Sequence, residues 1–151
     1  MYSNKILGTK DTISESDLLD LEKKYNFTFP SSVRNHYLTY NGGYPEKSLF
    51  VGDGGEEYVV DYFIPLVNEK GQSLYSILHL LADEKIKPDW LIPFADEEGG
   101  NLFCFSIHKK DVGAIYYYRH QFEYGDNPEN HITYLSKSLA DFLNCLVEYE
   151  E

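Results

Sequence analysis

Cations are scarce in this chain, and the scarcity is regional. Only 13 Lys and Arg face 25 Asp and Glu, giving a net charge of −12. The first 40 residues balance five acids with five bases, so the excess lies after Tyr40, where 20 acids meet 8 bases. Such a surface repels phosphates, whose binding depends on Lys and Arg releasing counterions, and this argues against a nucleic-acid binder. It attracts a basic protein partner, mainly by accelerating encounter. Long apolar runs are missing too: nothing approaches the roughly 18 residues that a membrane span requires. Met1 to Ile13 carry charges and no sustained apolar stretch, which predicts no secretory leader. With only two cysteines, a reducing cytoplasm is the expected setting. Cys104 and Cys145 lie in apolar strand-like and helix-like stretches, so both are expected as buried thiols.

Catalytic motifs are equally sparse. His36, His79, His108, His120 and His131 form no HExxH and no i, i+4 pair, and no Cys-x-x-Cys accompanies them, so no metal site is expected. A nucleophilic cysteine needs exposure beside a base, whereas Cys104 sits between Phe103 and Phe105. No Gly-x-Ser-x-Gly marks a serine hydrolase. Gly52-Asp53-Gly54-Gly55 is followed by Glu56 and Glu57, not by the Gly-Lys-Ser/Thr of a phosphate loop. Gly99-Gly100 lies between two apolar runs, as hairpin turns require. These absences predict no catalytic residues and no cofactor.

What is present is a foldable core. The 151 residues suit one domain spanning 1–151, and 42% hydrophobic content with 14 Tyr and 9 Phe can fill it. Ser14 with Asp17 predicts a capped first helix carrying Leu18, Leu21 and Tyr25. Ser31 or Ser32 is expected to cap a second helix, which Asn41-Gly42-Gly43 would end in a left-handed turn. Ser48–Val51 and Tyr58–Ile64 read as strands. Ser73 opens a third helix with Leu74, Ile77, Leu78 and Leu81 at helical spacing. Trp90 to His120 alternates apolar strands with an acidic and a basic turn, the pattern of a sheet centre. Gly125-Asp126-Asn127-Pro128 reads as a loop and Ile132–Leu135 as a strand, and Leu139, Phe142, Leu143 and Leu146 share a face of a last helix. The expected fold is α+β: a twisted, mostly antiparallel sheet of about five or six strands, with helices at the start, middle and end. Phe103, Phe105 and Ile107 point to one sheet face, and Leu102 and Cys104 to the other.

Two acidic groups remain as candidates for function: Asp53, Glu56, Glu57 and Asp61, and the turn Asp96, Glu97 and Glu98. Paired carboxylates can serve glycoside cleavage if a cleft holds a sugar between them. Their spacing does not match a calcium-binding EF-hand. Solvated acidic loops are the plain alternative, and a docking surface for a cationic partner is the simplest functional use.

Four segments in this order resemble the SUKH superfamily, which includes the fungal Knr/Smi cell-wall regulators. They are Ile13 to Tyr25; Phe29-Pro30-Ser31-Ser32 through Tyr37-Leu38 to Asn41-Gly42-Gly43; Leu91-Ile92-Pro93-Phe94-Ala95 through Gly99-Gly100-Asn101-Leu102-Phe103-Cys104; and Leu139-Ala140-Asp141-Phe142-Leu143. The chain departs from the family at Ser106, where many relatives carry an acid. The resemblance implies an α+β domain without enzymatic activity. For bacterial members it implies an immunity protein that binds and neutralises a polymorphic toxin, often a nuclease whose basic groove suits an acidic partner. A regulatory or scaffolding module like the fungal relatives is the alternative, and an enzyme built on remote carboxylates or histidines is a third reading. The resemblance supplies no binding residues. The seven acids above stand on charge alone, and the oligomeric state stays open.

Overall fold

The computed structural model describes residues 2–68, 71–81, 87–120, 125 and 127–150. Met1 and Asp126, which the leader and loop expectations include, lie outside the described residues. A short strand, β1 (Ile6–Leu7), precedes helix α1 (Glu15–Tyr25). The Ser14 hydroxyl accepts from the Asp17 N–H at 3.3 Å, and the Asp17 carboxylate accepts from the Ser14 N–H at 2.9 Å. This reciprocal cap satisfies two N–H groups that the helix start would leave open. Leu18 and Leu21 are buried on the inner face.

Helix α2 (Ser31–Thr39) departs from expectation at both ends. Pro30 occupies the cap position and no side chain caps the helix, so Ser31 is its first residue. A proline there already has the restricted backbone the approach needs. The helix stops at Tyr40 in an extended conformation, ahead of Gly42 and Gly43, whose positive φ values of 74° and 88° shape the next turn instead. Asn41 is buried and joins three segments. Its amide donates to the carbonyls of Asp11 (2.9 Å) and Val67 (3.1 Å), and its oxygen accepts from the Leu66 N–H (2.8 Å). Arg34 clamps α2 to α1 through Glu15 at 2.8 Å and Glu22 at 2.6 Å.

Strand β2 (Tyr44–Pro45) pairs antiparallel with β1, a ribbon the sequence did not suggest. A side chain at Gly43 would lie 2.4 Å from the Leu7 carbonyl oxygen, so close backbone approach requires glycine here. Next, β3 (Leu49–Val51) and β4 (Glu57–Val59) form a hairpin. The single strand expected over Tyr58–Ile64 is broken: β5 (Tyr62–Phe63) leaves the hairpin for the main sheet. Burial shows why. Tyr58 and Val60 are inside, but the next buried pair is Phe63 and Ile64, out of phase with strand alternation.

Helix α3 (Leu74–Leu81) buries Leu74, Ile77 and Leu78, as its spacing predicts. The remaining strands are β6 (Leu91–Asp96), β7 (Leu102–Ser106), β8 (Ile115–Tyr118) and β9 (Ile132–Ser136). The expected loop before β9 contains a tight helical turn at Pro128–His131, capped by Asn127. The sheet order is β5-β6-β7-β8-β9, antiparallel throughout. Helix α4 (Leu139–Cys145) follows. The fold is therefore α+β, with a five-stranded meander and two smaller ribbons among the described residues. Phe103, Phe105 and Tyr117 join the helices in the larger core, while Leu91, Cys104 and Tyr118 form a smaller one.

One expectation about the thiols needs correction. Cys104 is buried, but Cys145 is exposed. At 100° per residue it lies well outside the stripe of Leu139, Phe142 and Leu143 that faces the core.

Candidate functional site

The turn between β6 and β7 is built to hold carboxylates in place. The Glu97 N–H donates to the Asn101 carbonyl at 3.0 Å, and the Gly100 N–H donates to the Glu97 carbonyl at 3.1 Å. Gly99 and Gly100 take φ values of 100° and 97°, a region that side chains disfavour. Strand β8 buttresses the turn. Tyr117 donates to Glu97 Oε1 at 2.5 Å and accepts from Asn101 Nδ2 at 2.8 Å. Glu97 Oε2 accepts from the Val59 N–H of β4 at 3.2 Å, so this carboxylate ties the hairpin to the sheet.

The chain reaching β5 brings Asp61 to the same place. Its N–H donates to the Asp96 carbonyl at 3.0 Å, and its Oδ2 accepts from the Glu98 N–H. Asp96 Oδ1 accepts from the Tyr62 N–H at 3.2 Å. Burial raises the Asp96 pKa; the Tyr62 N–H opposes that shift, and the nearby Asp61 charge adds to it. Asp61, Asp96, Glu97 and Glu98 are thus gathered around one groove of about 580 Å³, whose opposite wall is Ile77 and Leu80 of α3.

The other three candidates do not line this groove. Asp53 and Glu56 sit at the exposed tip of the β3–β4 hairpin, and Glu57 is exposed at the start of β4. Glu56 accepts from the Gly54 N–H at 3.2 Å, which closes the tip on itself. The sequence reading missed Tyr62 and Leu80, both exposed beside the acids. A signal for Leu80 was available: it is an apolar residue about 120° off the buried stripe of α3.

Ser106 also has a defined setting. It is buried; its hydroxyl donates to Asp111 Oδ1 at 2.7 Å and accepts from the His108 N–H at 3.1 Å. The Tyr116 hydroxyl donates to Asp111 Oδ2 at 2.5 Å, so the three residues brace the β7–β8 turn. Among the described residues, no group of three or more His, Cys, Asp or Glu is arranged to hold a metal ion. Among them, no helix is long and apolar enough to cross a membrane.

An antiparallel meander flanked by helices, with an acidic groove rimmed by exposed apolar residues, defines an α+β domain with a surface suited to protein docking. The family model of the SMI1 / KNR4 family (SUKH-1) matches residues 12–145, and the chain belongs to that family. No curated protein matches the chain.

Proposed function

We propose that this chain is a non-enzymatic binding protein, specifically an immunity protein that neutralises a polymorphic toxin by direct contact with its basic surface. The toxin class that fits best is a nuclease, because a groove shaped for phosphates presents the cations that this surface lacks. The carrying observation is the convergence of Asp61, Asp96, Glu97 and Glu98 on one open groove in a chain of net charge −12. Family membership supports a protein-interaction role. The setting is the cytoplasm, where such a toxin would act. The hairpin acids Asp53, Glu56 and Glu57 extend the negative field without lining the groove, a placement suited to steering.

Co-expression with a toxin domain encoded beside this chain tests the reading. Restored growth supports it, and continued killing despite soluble expression refutes it. Reversing Glu56, Glu57 and Glu98 to Lys should slow association about tenfold and flatten its salt dependence. Glu97 is left intact in that variant because it bonds Tyr117 and Val59. A pull-down that returns cell-wall or housekeeping factors and no toxin would favour the regulatory role.

A further inference from the structure

The acidic groove is one half of a longer trough. A second cavity of about 490 Å³ adjoins it and shares Tyr62, Gln72 and Asp96 with it. The trough runs across β5, the edge strand of the main sheet, from Leu80 of α3 to Tyr44 of the β1–β2 ribbon, with Lys10 at the far end. Three large side chains on its lining stand exposed: Leu80 is 71% exposed, Tyr62 61% and Tyr44 41%. The two tyrosine rings meet edge to face at 6.1 Å, in mid-trough beside Asp96. Asp61 and Asp96 each spend one carboxylate oxygen on a backbone N–H. The other oxygen of each has no hydrogen-bond partner among the described residues.

We propose that this trough binds an extended segment of a partner protein carrying an arginine next to an apolar side chain. The inference rests on the reading of the chain as a protein-binding module, but not on the partner being a toxin. Two carboxylates with one open oxygen apiece match a guanidinium, whose planar fork donates in two directions. The Tyr62 face offers the same group a cation–π surface, which a compact ammonium uses less well. The apolar neighbour on the segment fills the end lined by Ile77, Leu80 and Leu81. Burying those exposed side chains supplies the non-polar part of the affinity.

The test is selection of a displayed random heptapeptide library on the immobilised full chain. Enriched peptides are then titrated by fluorescence anisotropy against the wild type, Tyr62→Ala, Asp96→Asn and Glu129→Gln. Enriched sequences should pair Arg with an apolar residue. Affinity should fall about tenfold or more in Tyr62→Ala, in Asp96→Asn, and when citrulline replaces the peptide's arginine. Glu129→Gln, exposed in the turn before β9 at the opposite end of the sheet from β5, should change it less than about twofold. Tyr62 is largely exposed and Asp96→Asn keeps an acceptor for the Tyr62 N–H, so thermal melts should show both variants folded. No enrichment, enrichment without arginine, or affinities indifferent to both trough variants would overturn the proposal. So would sedimentation of the free chain as a dimer that Tyr62→Ala dissociates, which would assign the trough to a second copy. Selection that succeeds while co-expression fails to protect would sink the toxin reading alone. Protection that survives Tyr62→Ala and Asp96→Asn, with no peptide selected, would sink the trough alone.

Discussion

Acidification should weaken this fold through His36 in particular. The imidazole is 2% exposed on α2, with its Nδ1 2.9 Å from the Tyr2 hydroxyl and rings from Tyr37, Tyr40 and Phe63 around it. Burial there lowers its pKa from 6.5 to about 4. The folded value lies below the unfolded one, so the unfolded chain binds the proton first as pH falls. Stability is therefore complete above about pH 6.5, declines from there to about pH 4, and loses nothing further from this group below that. At pH 5 the difference in proton binding amounts to about 2 kcal/mol, out of a full span of about 3 kcal/mol. Urea unfolding followed by Trp90 fluorescence between pH 7.5 and 4.5 measures the effect. His36→Gln keeps an acceptor for Tyr2 and does not titrate. It should be less stable at pH 7.5 through poorer packing, yet lose about 2 kcal/mol less than the wild type on going to pH 5. Parallel pH profiles for the two proteins would refute the assignment.

Glu97→Ala should lower stability by about 2 kcal/mol, because it strips Tyr117 and Val59 of a charged acceptor, whereas Glu98→Ala should leave the urea midpoint unchanged. Alkylation with iodoacetamide at pH 8 should modify Cys145 alone in the native protein. Cys104 is buried and its thiol is pushed up to about 12, so it should react only after denaturation, as peptide mass mapping would show. Gly43→Ala should cost on the order of 2 kcal/mol or more, since its φ of 88° and the nearby Leu7 carbonyl both exclude a side chain. Asp96→Asn should raise the melting temperature of the free chain, because it relieves a half-buried carboxylate beside Asp61; a lower value by calorimetry would contradict that account.

Local signals carried the parts of the fold that depend on one segment. Ser14 with Asp17, the stripe of α3, and the alternation through β6, β7 and β8 each reflect a short-range periodicity or cap, and each appears where expected. What depended on distant partners was not legible. Strands β1 and β2 contain two residues apiece, too few for a periodic signal, and exist because Gly43 admits the Leu7 backbone. The break between β4 and β5 is a choice between two sheets, which alternation within one segment cannot express. Cys145 was misplaced because apolar neighbours in sequence are not neighbours on a helix face. The acidic residues were visible as a composition, but their convergence needed β5 to pair with β6.

That convergence also separates carboxylates that hold the site from those that face outward. Glu97 has both oxygens occupied, and its contribution is to fix the turn on which its neighbours stand. Asp61 and Asp96 are each held through one oxygen, so their positions are set before any partner arrives while part of their bonding capacity is left open. Holding them costs stability, since burial and mutual repulsion both work against the Asp96 charge. A cation placed between them reverses the sign of that electrostatic interaction without requiring the backbone to reorganise. A pre-formed acidic pair beside exposed Tyr62 and Leu80 is thus better suited to capture than to support of the fold: the substitution that relaxes the free protein, Asp96→Asn, is the one that weakens its grip on arginine.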